Sequence, residues 1–125
     1  MNTFKKEERL CSEKAIGKIF KSGNVINKYP YKAIWIYSED ELEFPIQVAI
    51  SVPKRNFKKA VDRNLIKRRI REAYRTNKAS VYSTLSASKK NIQVVIIYIS
   101  KEILPFTNIE KKLVEFLEDF EAKIN

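Results

Sequence analysis

Residues 54–75 read KRNFKKAVDRNLIKRRIREAYR, and they combine the densest positive charge of the chain with its clearest helical pattern. The stretch holds ten Lys or Arg and two acids, a net charge of +8. The rest of the 125-residue chain holds fifteen bases and thirteen acids, a net charge of only +2. Because a concentrated cationic surface attracts a polyanion by releasing its condensed counterions, nucleic acid is the leading partner.

On a helical wheel this stretch separates into an apolar arc and a polar stripe, since side chains three and four positions apart share a face. The apolar arc, which we expect to pack against a core, consists of Leu65, Ile66, Ile70, Ala73 and Tyr74. The other face, called the basic stripe below, consists of Asn64, Lys67, Arg68, Arg71 and Arg75. Arg63 lies at the edge of the stripe. Arg69 falls within the apolar arc, where we expect its stem to be buried and its charged head to reach solvent.

Two other interpretations of this charge are open. Most charge runs are solvated faces, but such faces usually mix acids and bases for i,i+4 support, and this one is almost wholly basic. A basic amphipathic helix also suits a membrane surface or a calmodulin-like partner. That role needs apolar side chains free to leave the core, whereas this apolar arc is typical of one committed to packing. Nucleic-acid binding is therefore favoured.

Composition sets the broad class of the protein. A length of 125 residues with 44% hydrophobic and 11% aromatic residues predicts a single domain over 1–125 rather than a disordered basic tail. No apolar run reaches the roughly 20 residues that a membrane-spanning helix needs. The N-terminal MNTFKKEERL has charges where a secretory signal has its apolar stretch, so we expect a cytoplasmic protein with no membrane contact. The single cysteine, Cys11, excludes an internal disulfide.

The residues needed for most enzyme chemistry are missing. The chain has no histidine and only two glycines, which excludes histidine-based nucleophile pairs and glycine-rich phosphate loops and makes a zinc site very unfavourable. The acids Glu39, Asp40, Glu41 and Glu43 could hold a hard cation, but no calcium-loop pattern shapes them, and a polar turn is the simpler interpretation. We therefore expect no catalytic residue and no metal or other cofactor bound by the protein alone.

Apolar periodicity predicts an α+β fold. The predicted elements are a helix at 12–22 capped by Ser12, strands at 31–37 and 45–52 joined as a hairpin by the acidic stretch 38–43, the basic helix at 57–76, a strand at 92–99 and a helix at 108–123. A further short strand is expected near Val25, and the serine-rich stretch 80–88 reads as a flexible connection. The strand at 92–99 is apolar on both sides, which is typical of the centre of a sheet.

The segment RNLIKRRIRE at 63–72 resembles the signature of the bacterial ribonuclease P protein subunit, an Arg-Asn-Arg-x-Lys-Arg run continuing to Arg-Glu. Three other segments resemble the family in the same order along the chain. They are Arg9-Leu10 before the first helix, Phe20-Lys21-x-Gly23 at its end, and Ile50-Ser51-Val52-x-Lys54-Arg55 before the basic helix. Length and basicity also match, so the resemblance covers most of the chain.

The resemblance implies both a fold and a function. The fold is a four-stranded sheet packed with about three helices in the order α-β-β-β-α-β-α, including a left-handed βαβ crossover. The function is that of an accessory protein in an endoribonuclease whose RNA subunit, with magnesium, removes the 5′ leader of precursor tRNA. The implied partners are the RNA subunit and precursor tRNA, and no stable protein partner is expected.

The resemblance also implies two sets of contact residues. Those expected to bind the RNA subunit are Arg63, Asn64, Lys67, Arg68 and Arg71 in the signature, with Arg55, Lys58 and Lys59 before it. Those expected to line a leader-binding cleft between the first helix and the sheet are Ile16, Phe20, Tyr31, Ser51 and Lys54. Aromatic side chains in such a cleft stack on unpaired bases with little sequence preference. Helical spacing alone would instead place Ile16 and Phe20 in the core.

Three departures from the family pattern are visible. Leu65 stands where the family usually has the third signature arginine, which removes one expected RNA contact. Ile16 replaces a common aromatic and so puts base stacking at that position in doubt. The final helix is acidic where many relatives are basic, and we expect that end to face away from RNA.

Other functions remain open at this stage. A ribosomal or general RNA-binding protein would share the basic helix and would differ only in taking no part in processing. A helix-turn-helix DNA-binding protein is disfavoured, because no short partner helix directly precedes the basic one. A protein-only nuclease would need acids clustered near the basic surface, and the sequence shows none there.

Overall fold

The computed structural model of the protein describes residues 4–124, so residues 1–3 and 125 of the predicted domain lie outside it. The chain forms a short 3-10 helix at Lys6–Glu8, followed by α1 (Glu13–Ser22), β1 (Asn24–Lys28), β2 (Tyr31–Tyr37), β3 (Ile46–Ser51), α2 (Ala60–Asn77), α3 (Ala79–Ser88), β4 (Ile92–Tyr98) and α4 (Phe106–Ile124). The predicted α+β class, the four-stranded sheet and the short strand near Val25 are confirmed.

The sheet has the strand order β1-β2-β4-β3. β1 pairs antiparallel with β2, and β2 pairs antiparallel with β4. The predicted hairpin between the second and third strands is wrong, because β4 lies between them and pairs parallel with β3. The centre of the sheet is buried on both faces, and β4 meets that requirement with Val94 and Val95 only 2% and 3% exposed.

The parallel strands β3 and β4 are joined through α2 and α3, which gives the expected βαβ unit. Its left-handed sense stays a prediction from the resemblance. The flexible connection predicted at 80–88 is wrong, since these residues belong to α3. Val81 and Leu85, four positions apart, are buried on one face of that helix, and the serines occupy the remaining positions. Tertiary packing therefore overrides the weak helical preference of serine.

Two clusters of buried side chains lie on opposite faces of the sheet. The larger one joins the sheet to α2, α3 and α4, and the smaller one places Ile19 of α1 beside Leu10, Ile34 and Val95. Alternate residues of each strand face opposite ways, so β2 contributes Ala33 and Trp35 to the first cluster and Ile34 to the second. One face is thus covered by three helices and the other by α1 alone.

Helix ends follow the local chemistry. Ser12 caps α1 as predicted, with its hydroxyl oxygen accepting from the backbone N–H of Ala15 at 3.2 Å. The basic helix begins at Ala60 rather than at Phe57, because Phe57 closes a turn on the carbonyl oxygen of Pro53 and its ring is buried. No helix within residues 4–124 is long and apolar enough to cross a membrane.

Candidate nucleic-acid interface

Helix α2 is oriented by its apolar arc. Ile66, Ile70 and Ala73 are completely buried, and Tyr74 is 1% exposed with its ring edge against Phe4. This face packs on the main core and against α4. Because the arc is anchored in this way, the basic stripe on the other side of the helix is turned outward.

The basic stripe carries charge that the protein leaves largely uncompensated. Asn64 and Arg68 are exposed, and Lys67 and Arg71 are half-buried. Within the described chain, the side chains of Lys67, Arg68 and Arg71 form no ion pair with a carboxylate. A row of such cations at helical spacing repels itself, and an RNA backbone would relieve that repulsion.

Arg75 differs from the rest of the stripe. Its Nη2 lies 2.5 Å from Glu72 Oε1, and its Nε donates to Glu72 Oε2 at 3.1 Å. This bidentate contact lowers the pKa of the Glu72 carboxyl, chiefly through the hydrogen bond from Arg75. The pairing offsets much of the Arg75 charge, so the stripe presents its strongest charge between Lys67 and Arg71.

Arg63 has an organising contact that its sequence position did not indicate. Its Nη1 donates to the carbonyl oxygens of Phe57 and Lys58, at 2.8 and 3.0 Å. These bonds hold the segment that carries Lys58 and Lys59 against the start of α2. The remaining N–H groups of the guanidinium are available to a ligand, so Arg63 can both shape this segment and contact RNA.

Arg69 behaves as expected for a cation placed in an apolar arc. Its Nη1 donates to the carbonyl oxygen of Leu104 at 2.7 Å, across to the segment between β4 and α4. The half-buried stem therefore ends on a backbone acceptor at the domain surface. Arg69 thus joins α2 to the rest of the domain, away from the basic stripe.

The basic segment before α2 presents further cations. Lys54, Arg55, Lys58 and Lys59 are all exposed. Buried Val52 and Phe57 anchor the segment at both ends. The structure thus brings Arg55, Lys58 and Lys59 to the same end of the domain as the first turns of α2.

The predicted cleft corresponds to the face of the sheet that only α1 covers. Ile16 is half-buried against the smaller cluster, whereas Phe20 is 53% exposed. The exposure of Phe20 rules out the core position that helical spacing alone would give it. Ser51 is half-buried at the end of β3, and Lys54 follows three residues later. These four residues have side-chain surface available to a ligand.

The structure contradicts Tyr31 as a cleft residue. Its side chain is completely buried on the opposite face of the sheet, where it packs against Phe116 and Tyr98. Its hydroxyl donates to the carbonyl oxygen of Ile109 at 2.8 Å, and burial raises the pKa of this phenol. The reason is strand alternation: on β2 the cleft face carries the next residue, the exposed Lys32.

One acid lies beside the stripe, Glu72, and its carboxylate is paired with Arg75, whereas other acidic groups form ion pairs elsewhere. Among the described residues, no group of three or more Cys, Asp or Glu side chains is placed to hold a metal ion. Glu39 of the acidic stretch pairs with Lys18 at 2.9 Å, and Glu115 and Asp119 of α4 both lie near Lys28. The chemistry that this surface supports is therefore the binding of a polyanion.

One exposed cation near the stripe was missed by sequence reasoning. Arg9 precedes α1 and was used only for the family resemblance, yet it lines a surface depression together with Asn64, Arg68 and Arg71. The feature of the sequence that could have indicated this cation is the charged N-terminal segment. Its position beside α2 depends on contacts between residues distant in sequence, which periodicity cannot reveal.

Comparisons with known proteins show a family and a fold that this chain is similar to. The ribonuclease P family model matches residues 4–121. The ribonuclease P protein component of Porphyromonas gingivalis is 29% identical over 108 residues, covering 86% of this chain and 79% of that protein. The RNase P protein of Thermotoga maritima has the same fold, with a TM-score of 0.71 at 24% identity, covering 90% of this chain and 96% of that one. The Staphylococcus aureus RNase P protein gives a TM-score of 0.68 at 23% identity, covering 90% and 94%.

Proposed function

The chain belongs to the ribonuclease P family, and on that premise we propose that it binds the catalytic RNA subunit through α2 and the 5′ leader of precursor tRNA through the cleft beside α1. Family membership gives it a role in tRNA processing within a ribonucleoprotein nuclease that has an RNA partner. The observation that carries the proposal is the outward basic stripe of α2, whose Lys67, Arg68 and Arg71 lack carboxylate partners within residues 4–124.

In this proposal the RNA subunit, and not the protein, carries out the cleavage chemistry. The sequence has no histidine, and the Glu72 carboxylate beside the stripe is engaged by Arg75. Magnesium is accordingly assigned to the RNA subunit, where it would support hydrolysis of the phosphodiester bond that joins the leader to the tRNA. The role of the protein is to hold both RNAs together and to lower their mutual repulsion.

Leader binding is assigned to Ile16, Phe20, Ser51 and Lys54. Phe20 offers an exposed ring to an unpaired base, and Lys54 offers an ammonium to the backbone. Neither contact reads a base edge by hydrogen bonding, which suits a nuclease that processes leaders of many sequences. Tyr31 has no part in this assignment because it has no exposed surface.

The decisive experiment is cleavage of precursor tRNA by the cognate RNA subunit at low magnesium, with and without the protein. We expect the protein to stimulate cleavage by the RNA and to show no activity alone, since residues 4–124 present no acid–base constellation. A general RNA-binding protein would bind without stimulating. Cleavage by a rigorously RNA-free preparation would contradict the assignment of the chemistry to the RNA subunit, and the absence of stimulation would contradict the function itself.

Replacing Arg68 by alanine should weaken binding to the RNA subunit by about tenfold. The slope of log K against log salt should flatten by about one unit, because one phosphate contact and its counterion release are lost. Arg68 is exposed, so the fold should be unaffected. Filter binding or fluorescence anisotropy over a salt series measures both quantities.

Arg75→Ala is the matched control, since it removes the same charge about two turns further along α2. Its guanidinium is engaged by Glu72, so the loss of RNA affinity should be smaller. Equal affinities and slopes for the unmodified protein and the folded Arg68→Ala variant would mean that the stripe is only a solvated face.

A further inference from the structure

The N-terminal segment, residues 4–11, is fastened to the end of α2 by a buried ion pair. Glu8 pairs with Lys78, which directly follows α2, and the two side chains are 1% and 7% exposed. The other carboxylate oxygen of Glu8 accepts from the backbone N–H of Lys5 at 2.6 Å. A buried charge released from its partner is strongly unfavourable, so this pair gives the segment one fixed position.

A second set of contacts fixes the other end of the segment on the sheet. The backbone of Arg9 forms an isolated parallel bridge with Val48 of β3, and the N–H of Leu10 donates to the carbonyl oxygen of Val48 at 3.0 Å. The Leu10 side chain is 5% exposed within the smaller cluster. Arg9 therefore has buried neighbours on both sides along the chain, and only its own side chain faces outward.

The Arg9 guanidinium lies at the junction of two surface depressions. Its Cζ is 5.4 Å from the centre of the Phe4 ring. One depression, of about 420 Å³, is shared with the stripe residues Asn64, Arg68 and Arg71 and with the paired side chains of Glu72 and Arg75. The other, of about 270 Å³, is shared with Lys67, Arg71 and residues 48–50 of β3. In the described part of the chain, Arg9 forms no ion pair with a carboxylate.

We propose that Arg9 is a phosphate-binding residue of the RNA interface, held beside Arg68 and Arg71 by the Glu8–Lys78 ion pair. The basic surface then continues from α2 across the N-terminal segment toward the exposed face of β3. Guanidinium groups on both sides of a groove match the phosphodiester backbone of one RNA strand. The inference rests on the proposed function, because it takes RNA as the ligand of the stripe.

The test compares Arg9→Ala with Lys6→Ala. Lys6 is an exposed cation of the same segment that lines neither depression, so it controls for net charge. Binding is measured over a salt series with two ligands, the RNA subunit alone and precursor tRNA with its leader, to distinguish the two sources of phosphate. Arg9→Ala should weaken binding of at least one ligand by about tenfold and flatten its salt slope by about one unit. Lys6→Ala should have a clearly smaller effect.

The positioning role of the ion pair is tested by Glu8→Gln, which keeps the shape of the side chain and removes its charge. If Glu8 acts by placing Arg9, the single variant should reproduce the affinity loss and salt slope of Arg9→Ala. The double variant should then show no further loss. Additive losses of affinity for Glu8→Gln and Arg9→Ala would make Glu8 merely structural and overturn its positioning role.

The outcomes separate this inference from the proposed function. If the unmodified protein binds RNA and folded Arg9→Ala binds both ligands with unchanged affinity and slope, the inference fails and the proposed function stands. If the unmodified protein binds neither ligand, both fail.

Discussion

Replacing Lys78 by methionine is expected to lower the free energy of unfolding by about 3–5 kcal/mol. Lys78 and Glu8 are buried against each other, and the Lys78 ammonium also lies 5.0 Å from the centre of the Tyr82 ring. Methionine preserves the length and apolar character of the lysine stem, so the substitution removes mainly the charge. The Glu8 carboxylate then stays buried without its ammonium partner. Urea unfolding followed by circular dichroism measures the loss.

Two controls identify the cause of that loss. Lys112→Met breaks the ion pair with Glu115, whose side chains are 42% and 32% exposed, and should cost only about 0–1 kcal/mol. Adding Glu8→Met to Lys78→Met should restore part of the stability, because an apolar pair replaces an unpaired buried charge. A Lys78→Met loss no larger than that of Lys112→Met would show that the ion pair does not hold the N-terminal segment.

Elements with strong local patterns were predictable from the sequence. The bounds of β2 match the prediction at 31–37, because its β-branched and aromatic residues leave little alternative. α1 begins one residue after its predicted cap, Ser12. The apolar arc of α2 is buried at Ile66, Ile70 and Tyr74, as helical periodicity requires. These features depend on residues a few positions apart.

Features that depend on distant residues were not predictable in this way. The acidic stretch 38–43 between two strands suggested a hairpin, yet β4 separates those strands although it follows them by about forty residues. The family resemblance assigned Tyr31 to the cleft, but its side chain is buried on the opposite face of the sheet. A strand pattern gives the alternation of side chains but not which face meets which layer, so it could not correct that assignment. The backbone contacts of Arg63 and the Glu8–Lys78 pair likewise arise only once the chain has folded.

The two parts of the candidate site, the basic stripe and the cleft, also differ in how far the local sequence pattern predicted them. Charge segregation alone predicted α2 as the binding surface, because the stripe is a local property of one helix. The cleft came from the family resemblance, and the structure retains Ile16, Phe20, Ser51 and Lys54 on accessible surface.

Replacing Phe20 by alanine should weaken binding of leader-bearing precursor tRNA by about 1–3 kcal/mol and leave mature tRNA binding unchanged. The ring is 53% exposed on α1, beside half-buried Ile16, so one face is open to an unpaired base. Because the ring is exposed, the free energy of unfolding should fall by only about 1 kcal/mol or less. Removing a buried aromatic side chain would cost more, because it leaves a cavity in the core. The measurements are the affinity for precursor tRNA, the affinity for mature tRNA and the melting temperature of the protein.

Two matched variants show whether the Phe20 contact is a stacking one. Phe20→Leu keeps an apolar side chain and removes the aromatic face, so it should lose most of the leader-dependent affinity if bases stack there. Tyr37→Ala removes another exposed aromatic, 43% exposed beside the acidic stretch 38–43, which a phosphate backbone avoids. It should therefore leave leader binding unchanged. Leader binding in this cleft would be contradicted if Phe20→Ala lost stability without a leader-specific loss of affinity. Equal losses of leader affinity in Phe20→Ala and Tyr37→Ala would contradict it as well.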